Sequence, residues 1–500
     1  MTARNPVRES AGKQGVTWGW GLAPRSQFIT FATMTISDAT PDFEQQGDRA
    51  FLGHPKGLGY LAFTEGCERF SYYSMQTLLV LYMVKYLLLP GHVEQVAGLA
   101  WLNATFFPGL TGQPLASAIF GTYTSLVYAT PILGGIIADK LFGRKATLIA
   151  GGSAMALGHF LMAFEGSFLV ALLALVIGVG LFKGNIASQV GALYGPSDLR
   201  RAMAFQIFYI AISVSVIAAP LVSGTLGEKV GWHWGFGAAG VVMVVGLIIY
   251  LSGSRWLPAD DSRPSAADRA SASARAKLTR AEWRQVIALV ILIPMLGISL
   301  LTNQEIFNAY LVWGDQQFQL TFGGMTLPTS WLITLDAILS FSMLVAVAAF
   351  WKWWSLRRAE PDELTKMIIG SLFSMAAGMC LVIAAWSQPA GSKIGLMWPF
   401  MFHLLNSIGF AHILPVSLAL FSKIAPRAIN STVIGLYYLA FFMANALVGK
   451  IGGLYSSLPT PTFWLIHVAS AGVGLVAFIG FKLLVADRMT ISAEPDPLPV

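Results

Sequence analysis

Apolar residues run along this chain in blocks of about twenty, separated by short polar stretches. Twelve blocks are read at 57–87, 115–138, 146–165, 168–190, 202–223, 235–256, 285–313, 329–351, 364–386, 394–421, 430–450 and 462–483. About 20 apolar residues cross a bilayer as a helix. In lipid only a helix or a closed barrel satisfies its own backbone, and runs of this length read as helices. Between the sixth and seventh runs, PADDSRPSAADRASASARAKLTR is Ala/Ser-rich and charged, and reads as a linker. The pattern predicts an all-α membrane protein of twelve transmembrane helices in two six-helix halves. Its expected parts are a polar tail (1–52), one bundle (53–257), a cytoplasmic linker (258–284), a second bundle (285–485) and a short tail (486–500).

Composition sharpens this picture. Of 500 residues, 55% are hydrophobic and only 11% charged, and the mean hydropathy is +0.64. A soluble domain carries roughly a quarter charged residues, so this chain has too few to coat a water-facing surface. The net charge of +7 does not indicate nucleic acid, because Lys and Arg fall in short loops: DKLFGRK (139–145), SDLRR (197–201), Arg263–Arg284, KWWSLRR (352–358) and KIAPR (423–427). The opposite loops hold little beyond Lys229 and Lys393. By the positive-inside rule both termini face the cytoplasm, across a plasma (inner) membrane. WKWWSLRR reads as an interfacial aromatic belt with basic anchors. Cys67 and Cys380, far apart in apolar runs, suggest neither a disulfide framework nor a thiolate metal site. No signal-peptide pattern opens the chain. MTISDATPDFEQQ reads as an ordinary start, which places an alternative initiator at Met34.

Charges inside the spans carry the chemistry. Each costs about 2.5–3.5 kcal/mol at a helix centre and tends to mark a pathway. Glu65, Glu68 and Arg69 lie in span 1, Lys183 in span 4, Glu305 in span 7, Asp336 in span 8, and His403 and His412 in span 10. Spans 1, 4, 7 and 10 hold the same place in each three-helix repeat, as a central polar cavity requires. Steps of three and four place Glu65, Glu68, Arg69, Tyr72, Tyr73 and Gln76 on one broad helix face. Arg69 is expected to pair with Glu65, leaving Glu68 for a partner such as Lys183. The alternative is a structural ion cluster that only locks helices together. His159 and His467 read as isolated, packed histidines, and Asp315 as a solvated end residue. His403 and His412, nine apart, do not form a metal-binding i,i+4 pair.

TEGCERFSYY (64–73) holds EGCERFSYY, which resembles the E-x-x-E-R-F-x-Y-Y signature of the proton-dependent oligopeptide transporters. GHPKGL (53–58), FGTYTSLVYATPILGGIIADKLFGRK (120–145), GLFKGN (180–185), FQIFYIAISVSVIAAP (205–220), GWHWGFGAAG (231–240) and KIAPRAINSTVIGLYYL (423–439) are similar to further family motifs in the same order. The resemblance implies the major facilitator fold, alternating access, and import of di- and tripeptides with protons. It implies proton-coupling roles for Glu65, Glu68 and Glu305. It also implies a substrate pocket drawn from Arg69, Tyr73, Tyr128, Lys183, Ser213, Asp336, Phe410 and His412. Arg69, Lys183 and Tyr73 would hold the peptide carboxylate. Asp139 and Arg144 would make cytoplasmic contacts during rocking, with Gly134 and Gly135 allowing close helix approach. No cofactor or metal is implied. The partners are protons, a small peptide-like substrate and the bilayer, and a monomer is expected to function.

Departures from the pattern bear on the substrate's amine. The family's span-10 glutamate is Phe410 here, its span-8 Asn is Asp336, its span-5 Asn is Ser213, and its span-7 Glu-Gln reads Gln304-Glu305. Either the negative charge has moved to spans 7 and 8, or the pocket takes another anionic or zwitterionic solute. An intramembrane enzyme would need a nucleophile–base set or metal ligands, and no H-E-x-x-H or phosphate loop is found. A channel would show short symmetric pore motifs. An ATP-driven pump would need a nucleotide site, which the sequence lacks.

Overall fold

The computed structural model describes residues 48–195, 198–258, 278–426 and 429–486. Met34, both tails and most of the 258–284 linker lie outside the described residues. The apolar runs are helices: α1 (Lys56–Tyr82), α2 (Leu99–Phe106), α3 (Gly112–Ile137), α4 (Arg144–Leu161), α5 (Phe168–Ala192), α6 (Arg200–Ala219), α7 (Trp232–Ser252) and α8 (Arg280–Ser299). They continue as α9 (Leu301–Glu305), α10 (Ala309–Gln317), α11 (Trp331–Ser355), α12 (Glu363–Ser387), α13 (Met397–Ile424), α14 (Asn430–Tyr437), α15 (Leu439–Gly452) and α16 (Thr460–Phe481). A two-stranded hairpin, β1 (Thr321–Phe322) and β2 (Met325–Thr326), joins α10 to α11. Neither the hairpin nor the eight-residue α2 is part of the sequence expectation.

Among the described residues, ten helices are long and apolar enough to cross a membrane. The two expected spans outside that set are α1 and α4, both helical but more polar. EGCERFSYYSMQ interrupts the apolar character of α1, and α4 opens on Arg144 and Lys145. The expected single span 7 is three pieces, broken at Leu300 and again at Ile306–Asn308. Interior Pro131, Pro294 and Pro415 are accommodated in α3, α8 and α13; neighbouring helices commonly satisfy such freed backbone in membranes. Two starts are capped by side chains. Thr279 and Glu282 form a capping box on α8, and Asp362 accepts from Thr365 N at 2.9 Å on α12. Burial alone would raise the Asp362 carboxyl, but hydrogen bonds from Lys482 and Thr365 hold it down at about 2.

Helix pairing repeats along the chain. In the first part α1 packs on α6 and α7, α3 on α5, and α4 on α5 and α7. In the second, α8 packs on α15 and α16, α11 on α13, and α12 on α13 and α16. The two sets meet mainly where α3 packs on α15 and α6 on α11. Polar links between the sets gather at the helix ends away from the basic loops. Lys85 Nζ meets Asp315 Oδ1 at 2.6 Å, so Asp315 is paired as well as solvated. Glu228 accepts from the backbone N of Thr329 and Ser330, both at 2.8 Å. Trp331 Nε1 donates to Thr225 Oγ1 at 2.9 Å, and Gln113 Nε2 to the Gly452 carbonyl at 2.9 Å. At the basic end, every ion pair among the described residues stays within one set.

Two glycine contacts decide how closely helices approach. A Cβ on Gly134 would lie 2.0 Å from the Gly180 carbonyl, so α3 and α5 touch through backbone, whereas Gly135 faces open space. A Cβ on Gly121 would lie 2.4 Å from Gly449 Cα, at the contact between the two sets. Gly121→Val is expected to wedge α3 away from α15 and reduce transport several-fold without lowering membrane expression. Uptake normalised to protein level checks this; unchanged transport would show that the close approach is dispensable.

Candidate functional site

The site grows from α1, whose helical steps bury three charges together. Glu65, Glu68 and Arg69 are 4%, 0% and 6% exposed. Arg69 Nε lies 2.9 Å from Glu65 Oε1 and 2.6 Å from Glu68 Oε2, so the guanidinium takes both carboxylates. This corrects the expectation that Glu68 is left for Lys183. Among the described residues Lys183 makes no ion pair; its Nζ sits over Tyr128 at 4.6 Å, Tyr72 at 5.8 Å and Tyr438 at 5.9 Å from the ring centroids. Such cation–π contacts stabilise a desolvated ammonium without neutralising it. Neither Glu68 oxygen, nor Glu65 Oε2, nor Arg69 Nη2 has a hydrogen-bond partner, so the cluster is held by charge more than by aligned hydrogens.

A cavity of about 550 Å³ lies between the helix sets. Of the residues expected there, Tyr73, Tyr128, Lys183, Ser213, Asp336 and Phe410 line it. Glu65, Glu68 and Arg69 sit behind this wall, with Arg69 Cζ 5.4 Å from the Tyr72 ring. Tyr209, Asn303, Gln304, Ser340 and Tyr438 also line it and are missing from the sequence expectation. Three of these had a visible signal: Tyr209 lies in FQIFYIAISVSVIAAP, Gln304 adjoins Glu305, and Tyr438 belongs to the GLYYL motif.

Three expectations change with the geometry. His412 does not line the cavity; its Nδ1 donates to the Ile408 carbonyl at 2.8 Å and its Nε2 accepts from Trp351 Nε1 at 3.1 Å, between α11 and α12. The expected pocket role for His412 therefore has no geometric support. Glu305 also faces away from the cavity and is fully buried. Its Oε1 accepts from Asn308 Nδ2 at 2.9 Å and Ala309 N at 3.2 Å, and its Oε2 lies 3.4 Å from His467 Nε2. His467 is thus paired, not isolated. His467 Nδ1 donates to the Phe463 carbonyl at 3.0 Å, so Nε2 carries a proton only when the ring is charged. The Asp139–Arg144 pair spans 4.0 Å between largely exposed side chains.

Asp336 has a partner that the sequence did not expose. His403 Nδ1 lies 2.9 Å from Asp336 Oδ1, and Tyr310 Oη lies 2.9 Å from His403 Nε2. The row joins α11, α13 and α10, with His403 fully buried and Asp336 at the cavity wall.

A mainly apolar cavity between two helix sets, with Lys183 in the wall of one and Asp336 in the wall of the other, defines a secondary transporter rather than an enzyme. The sequence profile of the POT family matches residues 145–287. An uncharacterized transporter of Bacillus subtilis, YclF, is 30% identical over 488 residues, covering 86% of this chain and 94% of that one. The peptide transporter YePEPT of Yersinia enterocolitica is 28% identical over 489 residues, covering 84% and 91%. The crystal structure of peptide transporter POT in complex with sulfate superposes with a TM-score of 0.74 at 26% identity, covering 90% of this chain and 99% of that one. This chain belongs to the POT family of transporters.

The Glu305 environment gives a stability prediction. Glu305→Leu leaves Asn308 and the Ala309 N–H without their acceptor and removes the partner of His467, and is expected to destabilise by about 3–5 kcal/mol. Glu305→Gln keeps the acceptor oxygen and should cost markedly less. Thermal melting in detergent separates them; equal melting of both variants would contradict the pairing.

Proposed function

We propose that this transporter is a proton-coupled symporter that imports di- and tripeptides, or peptide-like solutes, by alternating access. The observation that carries this reading is a charge count. Glu65, Glu68, Arg69 and Lys183 sum to zero in a buried neighbourhood. A substrate carboxylate arriving at Lys183 adds one uncompensated negative charge, and one glutamate takes a proton to restore neutrality. Proton and substrate then bind together and leave together.

The family relatives support peptides as the cargo class, since YePEPT is named a peptide transporter and a Lactococcus lactis relative a di-/tripeptide transporter. In this reading Lys183, with Tyr73 and Tyr128, receives the carboxylate end, and Arg69 holds the two proton-carrying glutamates behind it. Ser213 and Phe410 shape the pocket, Asp336 meets the ammonium, and Glu305 with His467 forms a second proton-holding pair. His412 has no part in the pocket. The recurring helix pairs support twelve spans in two six-helix halves, 53–257 and 285–485, joined by the 258–284 linker. The loop charges support cytoplasmic termini in an inner membrane, Asp139 and Arg144 act at that face, and the monomer is the working unit.

A second reading keeps the fold and changes the cargo to a non-peptide anionic or zwitterionic solute. Phe410 in the cavity wall favours it, because an aromatic ring offers no carboxylate to an ammonium.

Two measurements test these assignments. In proteoliposomes an inward proton gradient should concentrate a dipeptide; Glu68→Gln and Arg69→Ala should abolish that accumulation, while Lys183→Ala weakens carboxylate recognition. Normal transport by all three variants would make the cluster structural. Separately, Asp336→Asn should lower affinity for free-amine dipeptides far more than for N-acetylated ones. Equal affinity of the unmodified protein for both ligand types would favour the non-peptide reading.

A further inference from the structure

The row Tyr310–His403–Asp336 joins three helices and ends on the cavity wall. Its hydrogen bonds are satisfied in two protonation states. With a neutral ring, Nδ1–H donates to Asp336 and Nε2 accepts from the Tyr310 hydroxyl. With a charged ring, Nδ1–H still donates to Asp336 and Nε2–H donates to the tyrosine oxygen. Only the hydroxyl hydrogen rotates, so a proton enters or leaves His403 without heavy-atom movement.

The surroundings leave Asp336 as the dominant charge on this imidazole. From α10 it faces Tyr310 and from α11 Asp336, while the Cys380 thiol of α12 donates to the Trp398 carbonyl of α13. On α13 itself the next histidine, His412, is engaged by Trp351 and Ile408. Tyr437 of α14 bonds Ser417 and the Leu414 carbonyl, farther along α13. Lys366 of α12 is taken by Glu360. Among the described residues no Lys or Arg forms an ion pair with Asp336.

We propose that His403 is a positioning residue that makes amine recognition pH-dependent: neutral His403 presents Asp336 to a substrate ammonium, and protonated His403 claims the carboxylate and expels it. Two cations cannot share one partly buried carboxylate without strong repulsion, whereas one ammonium on Asp336 and one neutral imidazole behind it balance. By linkage the reverse holds as well, since a bound ammonium disfavours protonation of His403. This deepens the peptide reading above and rests on it.

The test is equilibrium binding of one free-amine dipeptide and its N-acetylated counterpart between pH 5.5 and 7.5. In the unmodified protein the free-amine ligand should bind roughly tenfold more weakly at the acid end, relative to the N-acetylated ligand. His403→Gln, whose amide can still donate to Asp336, should flatten that ratio. Tyr310→Phe, which removes the acceptor for the second ring proton, should move the inflection to lower pH and serves if the glutamine variant does not fold. A ratio that is flat in the unmodified protein, or that shifts equally in it and in its variants, overturns the proposal. Failure of any dipeptide to bind at any pH would instead overturn the peptide reading itself.

Discussion

Everything at this site follows from one constraint: buried charges must nearly cancel. Arg69 alone inside a membrane helix would be costly, and so would Glu65 and Glu68. Placing all three on α1 within ion-pair distance leaves one negative charge, which Lys183 of α5 balances across aromatic rings. The arrangement is neutral and therefore tolerable, but it has no slack. In the proposed reading, a further charge entering the cavity is answered by a proton taken up or lost. Coupling is thus a property of the charge count, and the hydrogen-bond geometry decides which group responds.

The rest of the architecture gives that cluster somewhere to act. The close approach of Gly121 to Gly449, the Lys85–Asp315 pair and the Glu228 cap on Thr329 and Ser330 close one end between the helix sets. At the basic end, the ion pairs among the described residues stay within one set. Glu305 sits near the closed end, bonded through Asn308, whose Oδ1 accepts from Ser117 Oγ of α3 at 2.9 Å. A protonation change at Glu305 and His467 would therefore be felt at a contact between the sets.

The family and the α1 motif were legible in the sequence because both are local: apolar runs and three- and four-residue steps need no tertiary information. The pairing of Arg69 with both glutamates was not, because residues 68 and 69 are neighbours that do not face each other on an ideal helix. Only the long arginine side chain, turned back under burial, reaches both. The partners of His403 were not legible because they lie 67 and 93 positions away. Glu305 was expected in the cavity, but the breaks at Leu300 and Ile306–Asn308 rotate it toward α16. His412 lies on the face of α13 that Trp351 and Phe373 cover, a fact set by packing between helices.

The central claim, that a buried α1 carboxylate takes a proton when substrate enters, is tested most directly by following the proton. Proteoliposomes loaded with a pH-sensitive dye, with no imposed gradient, receive a dipeptide outside. The account predicts that the lumen acidifies as the dipeptide enters, and that Glu68→Gln protein reconstituted at equal density gives no acidification. Dipeptide entry with an unchanged lumen pH, or equal acidification by the variant, would contradict it.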